Sequence, residues 1–103
     1  MDLKKQSKTV TEGPERAPHR AMLRAMGLNN EDLSKPFIGV ASTWNEATPC
    51  NITLRDQAEA IKKSITLSGG TPREFVTISV SDGIAMGHEG MKSSLISREV
   101  ICD

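Results

Sequence analysis

The sequence predicts an α/β fold whose core is a βαβ unit, two parallel strands joined by a helix, with further helices flanking the small sheet. Residues 37–42 form a short apolar run that is typical of a buried strand. Residues 75–80 are dominated by β-branched side chains and predict a second strand. Between the two runs, one face of an amphipathic helix is marked by four apolar residues, Leu54, Ala58, Ile61 and Ile65. A strand, a helix and a strand in this order favour parallel pairing with a right-handed crossover.

Two more helices are predicted on either side of this unit. Alanine, leucine and methionine recur over residues 17–28, and Gly27 is positioned to end that helix as a left-handed cap. A polar-to-apolar run over residues 92–103 predicts a last helix. Residues 29–36, which end in proline, predict a turn, and residues 81–91 predict a loop punctuated by glycine.

The chain divides into an arm and a folded part. Residues 1–13 are polar and lack periodicity, which predicts a flexible N-terminal arm. Residues 14–103 are predicted to form the α/β part. The last predicted helix runs to Asp103 without a stop signal, so the chain is expected to be the N-terminal portion of a longer domain.

Length and charge exclude several functional classes. The 103 residues carry 13 basic and 13 acidic side chains, and a net charge of zero argues against general binding to nucleic acid or to an anionic membrane. No apolar run approaches the length of about 18 residues that a membrane span needs. The N-terminus lacks the apolar core of a secretory signal, and two cysteines 52 positions apart are too few for a disulfide framework. We therefore expect a cytoplasmic chain that binds neither nucleic acid nor membrane.

Two loops at the carboxyl edge of the predicted sheet carry side chains that suit chemistry. Cys50 lies in the loop after the first strand, and Asp82 lies in the loop after the second strand. In parallel α/β sheets, ligands bind beyond the carboxyl ends of the strands. A thiol and a carboxylate are therefore expected on one rim of the sheet.

Cys50 precedes a predicted helix N-terminus, where the helix dipole favours the thiolate. Three interpretations stay open: a nucleophile with His88 as its base, one ligand of an iron–sulfur cluster, or a loop cysteine without a role. Asp82 precedes Gly83, which suits a ligand of a hard cation or a solvated Asp-Gly turn. The glycines of this loop do not fit phosphate-binding motifs, and His88-Glu89 lacks the second histidine of a zinc-protease motif.

Three blocks of the sequence resemble the dihydroxy-acid dehydratases, which belong to a wider family that includes sugar-acid dehydratases. The blocks are, in chain order, PERAPHRAMLRAMGL, FIGVASTWNEATPCNITLRDQAEAIKKSI and VSDGIAMGHEGMKSSLISREVI. They cover about residues 13–103, and three blocks at the family's spacing are more specific than any single motif. The chain thus resembles the opening part of this family's larger N-terminal domain.

The resemblance implies a hydro-lyase of branched-chain amino-acid biosynthesis. Such enzymes convert 2,3-dihydroxy-3-methylbutanoate and 2,3-dihydroxy-3-methylpentanoate into 2-oxo acids, the precursors of valine and isoleucine. The resemblance further implies an iron–sulfur cluster, of 2Fe-2S or 4Fe-4S type, and Mg²⁺. Cys50 matches the family's first cluster cysteine, and Asp82 matches a magnesium-binding aspartate. A small dihydroxy acid is then the expected substrate, and the full-length protein is expected to be a homodimer.

Members of this family are several hundred residues long, and this chain lacks their later G-C-D-K block and their β-rich second domain. The remaining ligands and the catalytic base lie in those parts, so the chain by itself is expected to be inactive. Two other interpretations stay open. In the first, the protein is a dehydratase of the same family whose substrate is a sugar acid such as gluconate or a pentonate. In the second, the chain is a small α/β binding module without catalysis.

Overall fold

The computed structural model describes residues 1–103 and contains six α-helices, two β-strands and two short 3-10 turns. The helices and strands are, in chain order, α1 (Lys8–Thr11), α2 (Ala17–Ala25), α3 (Asn30–Ser34), β1 (Phe37–Ser42), α4 (Leu54–Leu67), β2 (Thr71–Val76), α5 (Asp82–Ala85) and α6 (Lys92–Cys102). The chain divides into two compact units. Unit 1 contains Met1–Gly39 and Lys62–Arg73, and unit 2 contains Val40–Ile61 and Glu74–Asp103.

β1 and β2 form a two-stranded parallel sheet. The amide of Thr71 donates to the carbonyl of Pro36 at 2.8 Å, and the amide of Thr77 donates to the carbonyl of Ser42 at 2.8 Å. The partners advance by six residues in the same direction on both strands, which is the register of parallel pairing. Helix α4 connects the strands, so the predicted α/β fold with a βαβ core is confirmed.

The second strand lies earlier in the chain than the sequence predicts. The prediction covers residues 75–80, whereas β2 covers Thr71–Val76 and includes Pro72. A strand requires a backbone partner, and β1 ends at Ser42, so the ladder stops with the hydrogen bond from Thr77. The β-branched residues that follow lie outside any strand, because propensity without a partner does not make a strand.

Helix α4 confirms the amphipathic helix predicted between the strands, but only part of its apolar face is covered. Ala58 is buried, and Leu54 and Ile65 are half-buried. Ile61, by contrast, is 49% exposed. The amide of Gly70 donates to the carbonyl of Ile65 at 3.0 Å, and the helix ends at Leu67, just before Gly69 and Gly70.

The predicted glycine cap of helix α2 is confirmed. Gly27 has a φ of 91°, a left-handed conformation that residues with a side chain rarely adopt. Its amide donates to the carbonyl of Arg24 at 2.9 Å, and the amide of Leu28 donates to the carbonyl of Leu23 at 3.3 Å, as in a Schellman motif. The reversal brings Leu28 into the small core of unit 1, where it is buried.

A short helix, α3, occupies the segment for which the sequence analysis predicts a turn. A capping box starts it, because the Asn29 side chain accepts from the amide of Asp32 and the Asp32 carboxylate accepts from the amide of Asn29, both at 2.9 Å. The helix buries Leu33. The prediction of a turn is wrong because the Asn-x-x-Asp spacing starts a helix, which Pro36 then ends.

The predicted N-terminal arm carries helix α1 in the structure. Ser7 and Thr11 are buried. The hydroxyl of Ser7 accepts a hydrogen bond from the amide of Phe37 at 2.8 Å, which attaches the arm to the start of β1. Flexibility in solution is a separate property, and for residues 1–13 it stays a prediction.

Two ion pairs within the arm involve carboxyl groups whose pKa values respond to the pairing. Lys4 pairs with Glu12 at 2.7 Å, and Lys8 pairs with Asp2 at 2.7 Å. The hydrogen bond from Lys8 lowers the pKa of Asp2, and the hydrogen bond from Lys4 lowers the pKa of Glu12. A lowered carboxyl pKa stabilises the ordered arm above the ordinary value of about 4, and this stabilisation is lost as the pH falls through the lowered value.

We therefore expect the backbone of residues 2–12 to become more mobile below about pH 4. ¹⁵N relaxation at pH 7 and at pH 3 would measure this change. The Val40 backbone is the internal control, since β1 contains no titratable side chain, buries Val40 and is expected to remain ordered at both values. Equal relaxation of the arm at both pH values would contradict the prediction.

The loop predicted over residues 81–91 contains two short helical segments. Helix α5 begins at Asp82, and a 3-10 turn covers Glu89–Met91. The last helix is confirmed as α6, but its apolar side chains are not buried. Four apolar side chains of α6 are 42% to 71% exposed, namely Leu95, Ile96, Val100 and Ile101. A helix buries an apolar face only where another element packs against it.

The buried apolar core of each unit is small. Leu28 and Leu33 are buried in unit 1, and Val40 and Ala58 are buried in unit 2. Many large apolar side chains, from Leu3 to Ile101, are exposed instead. No helix has the length and apolar character needed to cross a membrane.

Candidate functional site

A buried polar network shapes the loop between β1 and α4 in unit 2. Its centre is Asn51, which is only 6% exposed. The Nδ2 atom of Asn51 donates to the carbonyl of Thr43 at 2.7 Å and to the hydroxyl of Thr43 at 2.8 Å. Its Oδ1 atom accepts from the hydroxyl of Thr48 at 2.5 Å. A buried amide needs partners at both ends, and these contacts supply them.

A second asparagine and an aromatic contact extend this network. The Oδ1 atom of Asn45 accepts from the amide of Thr48 at 3.2 Å, and its Nδ2 atom donates to the carbonyl of Thr43 at 3.1 Å. The guanidinium of Arg55 lies over the ring of Trp44, 5.5 Å from its centroid. Side chains therefore connect the beginning of this loop both to its middle and to the first turn of α4.

Cys50 lies in the turn that directly precedes Asn51. The thiol is free and exposed. Helix α4 begins four residues later at Leu54, whose amide donates to the carbonyl of Asn51 at 3.1 Å. The thiol is thus accessible, while the backbone next to it is fixed by a buried residue.

Asp82 is the first residue of α5 and is exposed. The segment that leads to it is held at two points. The carbonyl of Val80 accepts from the hydroxyl of Ser94 at 3.1 Å, and the hydroxyl of Ser79 accepts from Nδ2 of Asn51 at 3.4 Å. The two predicted ligand-bearing segments therefore follow the carboxyl ends of β1 and β2 within unit 2, and a hydrogen bond joins them.

The structure does not pair Cys50 with His88. The Nδ1 atom of His88 accepts from the amide of Gly90 at 2.9 Å and caps the 3-10 turn that follows. His88 is exposed, and no hydrogen bond joins it to Cys50. The geometry gives no support to a nucleophilic Cys–His pair, which requires the base within hydrogen-bond reach of the thiol.

The donor set of these two segments fits single ligands rather than a complete metal site. A thiolate suits the iron of a cluster, and a carboxylate suits Mg²⁺. Cys50 provides a sulfur ligand and Asp82 provides an oxygen ligand, and both side chains are accessible. No group of three or more His, Cys, Asp or Glu side chains in the chain is arranged to hold a metal ion. Neither side chain by itself forms a complete site for either group.

The sequence analysis identifies Cys50 and Asp82 but not the polar network beside them. The available signal is the cluster of Thr and Asn residues after β1, because such side chains bond to nearby backbone in loops. That signal indicates Asn45 and Asn51 as loop-forming residues. The same signal gives no indication that Ser79, which lies 28 positions after Asn51, takes part in the network.

Comparison with known proteins assigns the chain to a family. The sequence profile described as dihydroxy-acid/6-phosphogluconate dehydratase N-terminal matches residues 35–103, more than half of the chain. The chain belongs to the dihydroxy-acid/6-phosphogluconate dehydratase family. Cys50 and Asp82 both lie within the matched residues of this dehydratase profile.

Curated dihydroxy-acid dehydratases are similar to nearly the whole chain. The dihydroxy-acid dehydratase of Pelagibacter ubique is 65% identical over 97 residues, which are 94% of this chain and 17% of that protein. The dihydroxy-acid dehydratase of Koribacter versatilis is 63% identical over 96% of this chain and 17% of that protein. The dihydroxy-acid dehydratase of Mycobacterium avium is 60% identical over 99% of this chain and 18% of that protein. The chain therefore spans about a sixth of the length of the curated dehydratases it matches.

Proposed function

We propose that this chain is the N-terminal part of a dihydroxy-acid dehydratase, a hydro-lyase of valine and isoleucine biosynthesis. The observation that carries the proposal is the identity of 60% to 65% with curated dihydroxy-acid dehydratases over 94% to 99% of the chain. The substrates would be 2,3-dihydroxy-3-methylbutanoate and 2,3-dihydroxy-3-methylpentanoate. The C2 proton and the C3 hydroxyl leave as water, and the resulting enol rearranges to a 2-oxo acid.

Cys50 is proposed as a ligand of an iron–sulfur cluster, and Asp82 as a ligand of Mg²⁺. When bound, these groups supply Lewis acidity for the departing hydroxyl and for the charge that develops when the C2 proton leaves. The exposure of both side chains and the hydrogen bond between Asn51 and Ser79 support this assignment. The other ligands and the catalytic base are proposed to lie outside these 103 residues, so the chain by itself would be inactive.

The enzyme is proposed to act in the cytoplasm on a small-molecule substrate, and as a homodimer in its full-length form. Two free cysteines support this location, since a reducing compartment keeps thiols unpaired. A net charge of zero provides no general attraction to nucleic acid or to an anionic membrane. The dimer is proposed from the family resemblance.

The test is a comparison of substrates on the native polypeptide that contains this chain, purified without oxygen. We expect 2-oxo acid formation from 2,3-dihydroxy-3-methylbutanoate to exceed that from gluconate or 6-phosphogluconate by at least roughly tenfold, because specificity is a ratio of kcat/KM values. A preference for the sugar acids would assign the protein to the other branch of the family. If protein loaded with iron, sulfide and Mg²⁺ dehydrates none of these three substrates, the result would contradict the enzymatic proposal and favour a binding module.

A further inference from the structure

We propose that Asn51 is a positioning residue for the two cofactor ligands. Its buried side chain holds the loop that carries Cys50 and the segment that leads to Asp82 in one mutual arrangement. This inference rests on the proposed function and deepens it, because it assigns a role to a residue that binds neither metal. Three observations carry it.

The first observation is the burial of the Asn51 side chain and the presence of hydrogen bonds at both ends of its amide. The residue is 6% exposed, so its amide has little access to water and depends on protein partners. Nδ2 donates to the carbonyl and the hydroxyl of Thr43 at 2.7 and 2.8 Å, and Oδ1 accepts from the hydroxyl of Thr48 at 2.5 Å. Contacts on both ends of the amide restrict it to one orientation.

The second observation is the position of Asn51 between the two proposed ligands. Asn51 directly follows Cys50, and the Cα atoms of consecutive residues are about 3.8 Å apart, so a movement of Asn51 moves the thiol. Its Nδ2 atom also reaches the hydroxyl of Ser79 at 3.4 Å, three residues before Asp82. This contact is longer than the two to Thr43 and shares one of the two Nδ2 protons with them, and it joins segments that are 28 positions apart in the sequence.

The third observation excludes the simplest local role for this side chain. Asn51 precedes α4, where an asparagine often caps the helix by accepting a backbone amide. Here its Oδ1 atom accepts from Thr48 instead, and it is the backbone carbonyl of Asn51 that accepts from the amide of Leu54. The side chain is therefore turned toward the ends of the two strands rather than toward the helix.

The experiment measures cofactor content rather than activity. Wild-type native polypeptide and N51A are reconstituted anaerobically with iron and sulfide, and bound iron, bound sulfide and visible charge-transfer absorption are determined. We expect N51A to retain several-fold less cluster, in line with the roughly 10–100-fold effect of losing residues that support metal ligands. N29A is the matched control, because it removes an asparagine that accepts a backbone amide in unit 1. We expect N29A to bind wild-type amounts of iron.

Two conservative variants keep the test decisive if N51A does not fold. In T48V the new side chain has nearly the shape of threonine but lacks the hydroxyl that donates to Oδ1 of Asn51. This variant is expected to bind less iron. T48S keeps that hydroxyl and is expected to restore the wild-type content. The Tm of each variant is measured beside its iron content, because T48V also leaves a buried acceptor without its donor, and a loss of iron without a matching fall in Tm indicates positioning.

Several results would overturn the inference. Wild-type iron, sulfide and absorption in N51A or in T48V would show that the network does not position the ligand. An equal loss in N29A would show that any destabilisation has the same effect. A wild-type polypeptide that binds no cluster would contradict the proposed function and the inference together, whereas a wild-type cluster that persists in N51A contradicts the inference alone.

Discussion

Replacement of Cys50 with serine is expected to remove most of the bound iron and sulfide from the native polypeptide and to lower its dehydratase activity about 100-fold or more. Serine has nearly the same size, but its hydroxyl stays protonated near neutral pH and is a poor ligand for cluster iron. Cys50 is exposed, so the substitution removes no core packing. The measurements are bound iron and sulfide, charge-transfer absorption and the rate of 2-oxo acid formation.

The chain offers a matched control for this variant. Cys102 is also free and exposed, but it lies at the end of α6 and is not a proposed ligand. We expect C102S to keep the wild-type cluster content and rate. Equal losses in both variants would mean that a general reaction of exposed thiols, and not ligation by Cys50, explains the effect.

Replacement of Asp82 with asparagine is expected to lower the activity by a similar factor, about 100-fold, and to raise the Mg²⁺ concentration needed for half-maximal rate. The amide keeps an oxygen of similar position but lacks the negative charge that attracts a hard cation. Asp82 is exposed at the start of a four-residue helix, so a large effect on folding is not expected. The measurement is the rate as a function of Mg²⁺ concentration, together with bound iron.

Glu89 provides the control carboxylate for this experiment. It lies in the same segment, is exposed, and forms an ion pair with Lys92 at 2.7 Å. Such surface pairs contribute little to stability, so we expect E89Q to keep the wild-type response to Mg²⁺. A wild-type response in D82N would refute the assignment of Asp82.

The two substitutions also separate the two cofactors. C50S is expected to lose iron, whereas D82N is expected to keep its cluster absorption and to lose its response to Mg²⁺. This pattern follows from ligand preference, because thiolates bind iron and carboxylates bind Mg²⁺. Loss of the cluster in D82N would instead indicate that the segment after β2 supports the cluster loop, as the hydrogen bond between Asn51 and Ser79 allows.

Features that depend on a few neighbouring residues are readable from the sequence. The left-handed cap at Gly27 follows from the conformational freedom of glycine, and helix α4 follows from its apolar spacing. Strand β1 follows from a short apolar run that the structure keeps within the same bounds. The capping box at Asn29 and Asp32 was equally readable, because its two partners are only three residues apart.

The family and the two proposed ligands also follow from the sequence. Cys50 and Asp82 lie in sequence blocks whose order and residues resemble one enzyme family. Each residue follows a predicted strand, which predicts that both lie at the carboxyl edge of the sheet. The ligand roles themselves remain predictions. The metal preference of a thiolate or a carboxylate is a property of the side chain alone, so no coordinates are needed to propose it.

Only the tertiary structure decided where β2 ends and what holds the ligand-bearing segments together. Residues 75–80 have the composition of a strand, yet the ladder stops at Thr77 because β1 provides no further partner. The hydrogen bond from Asn51 to Ser79 joins residues 28 positions apart, and the residues next to either one in the sequence do not predict this pairing. Helix caps and ligand chemistry are short-range properties, whereas strand pairing and buried polar contacts depend on which distant segments the fold brings within hydrogen-bond distance of each other.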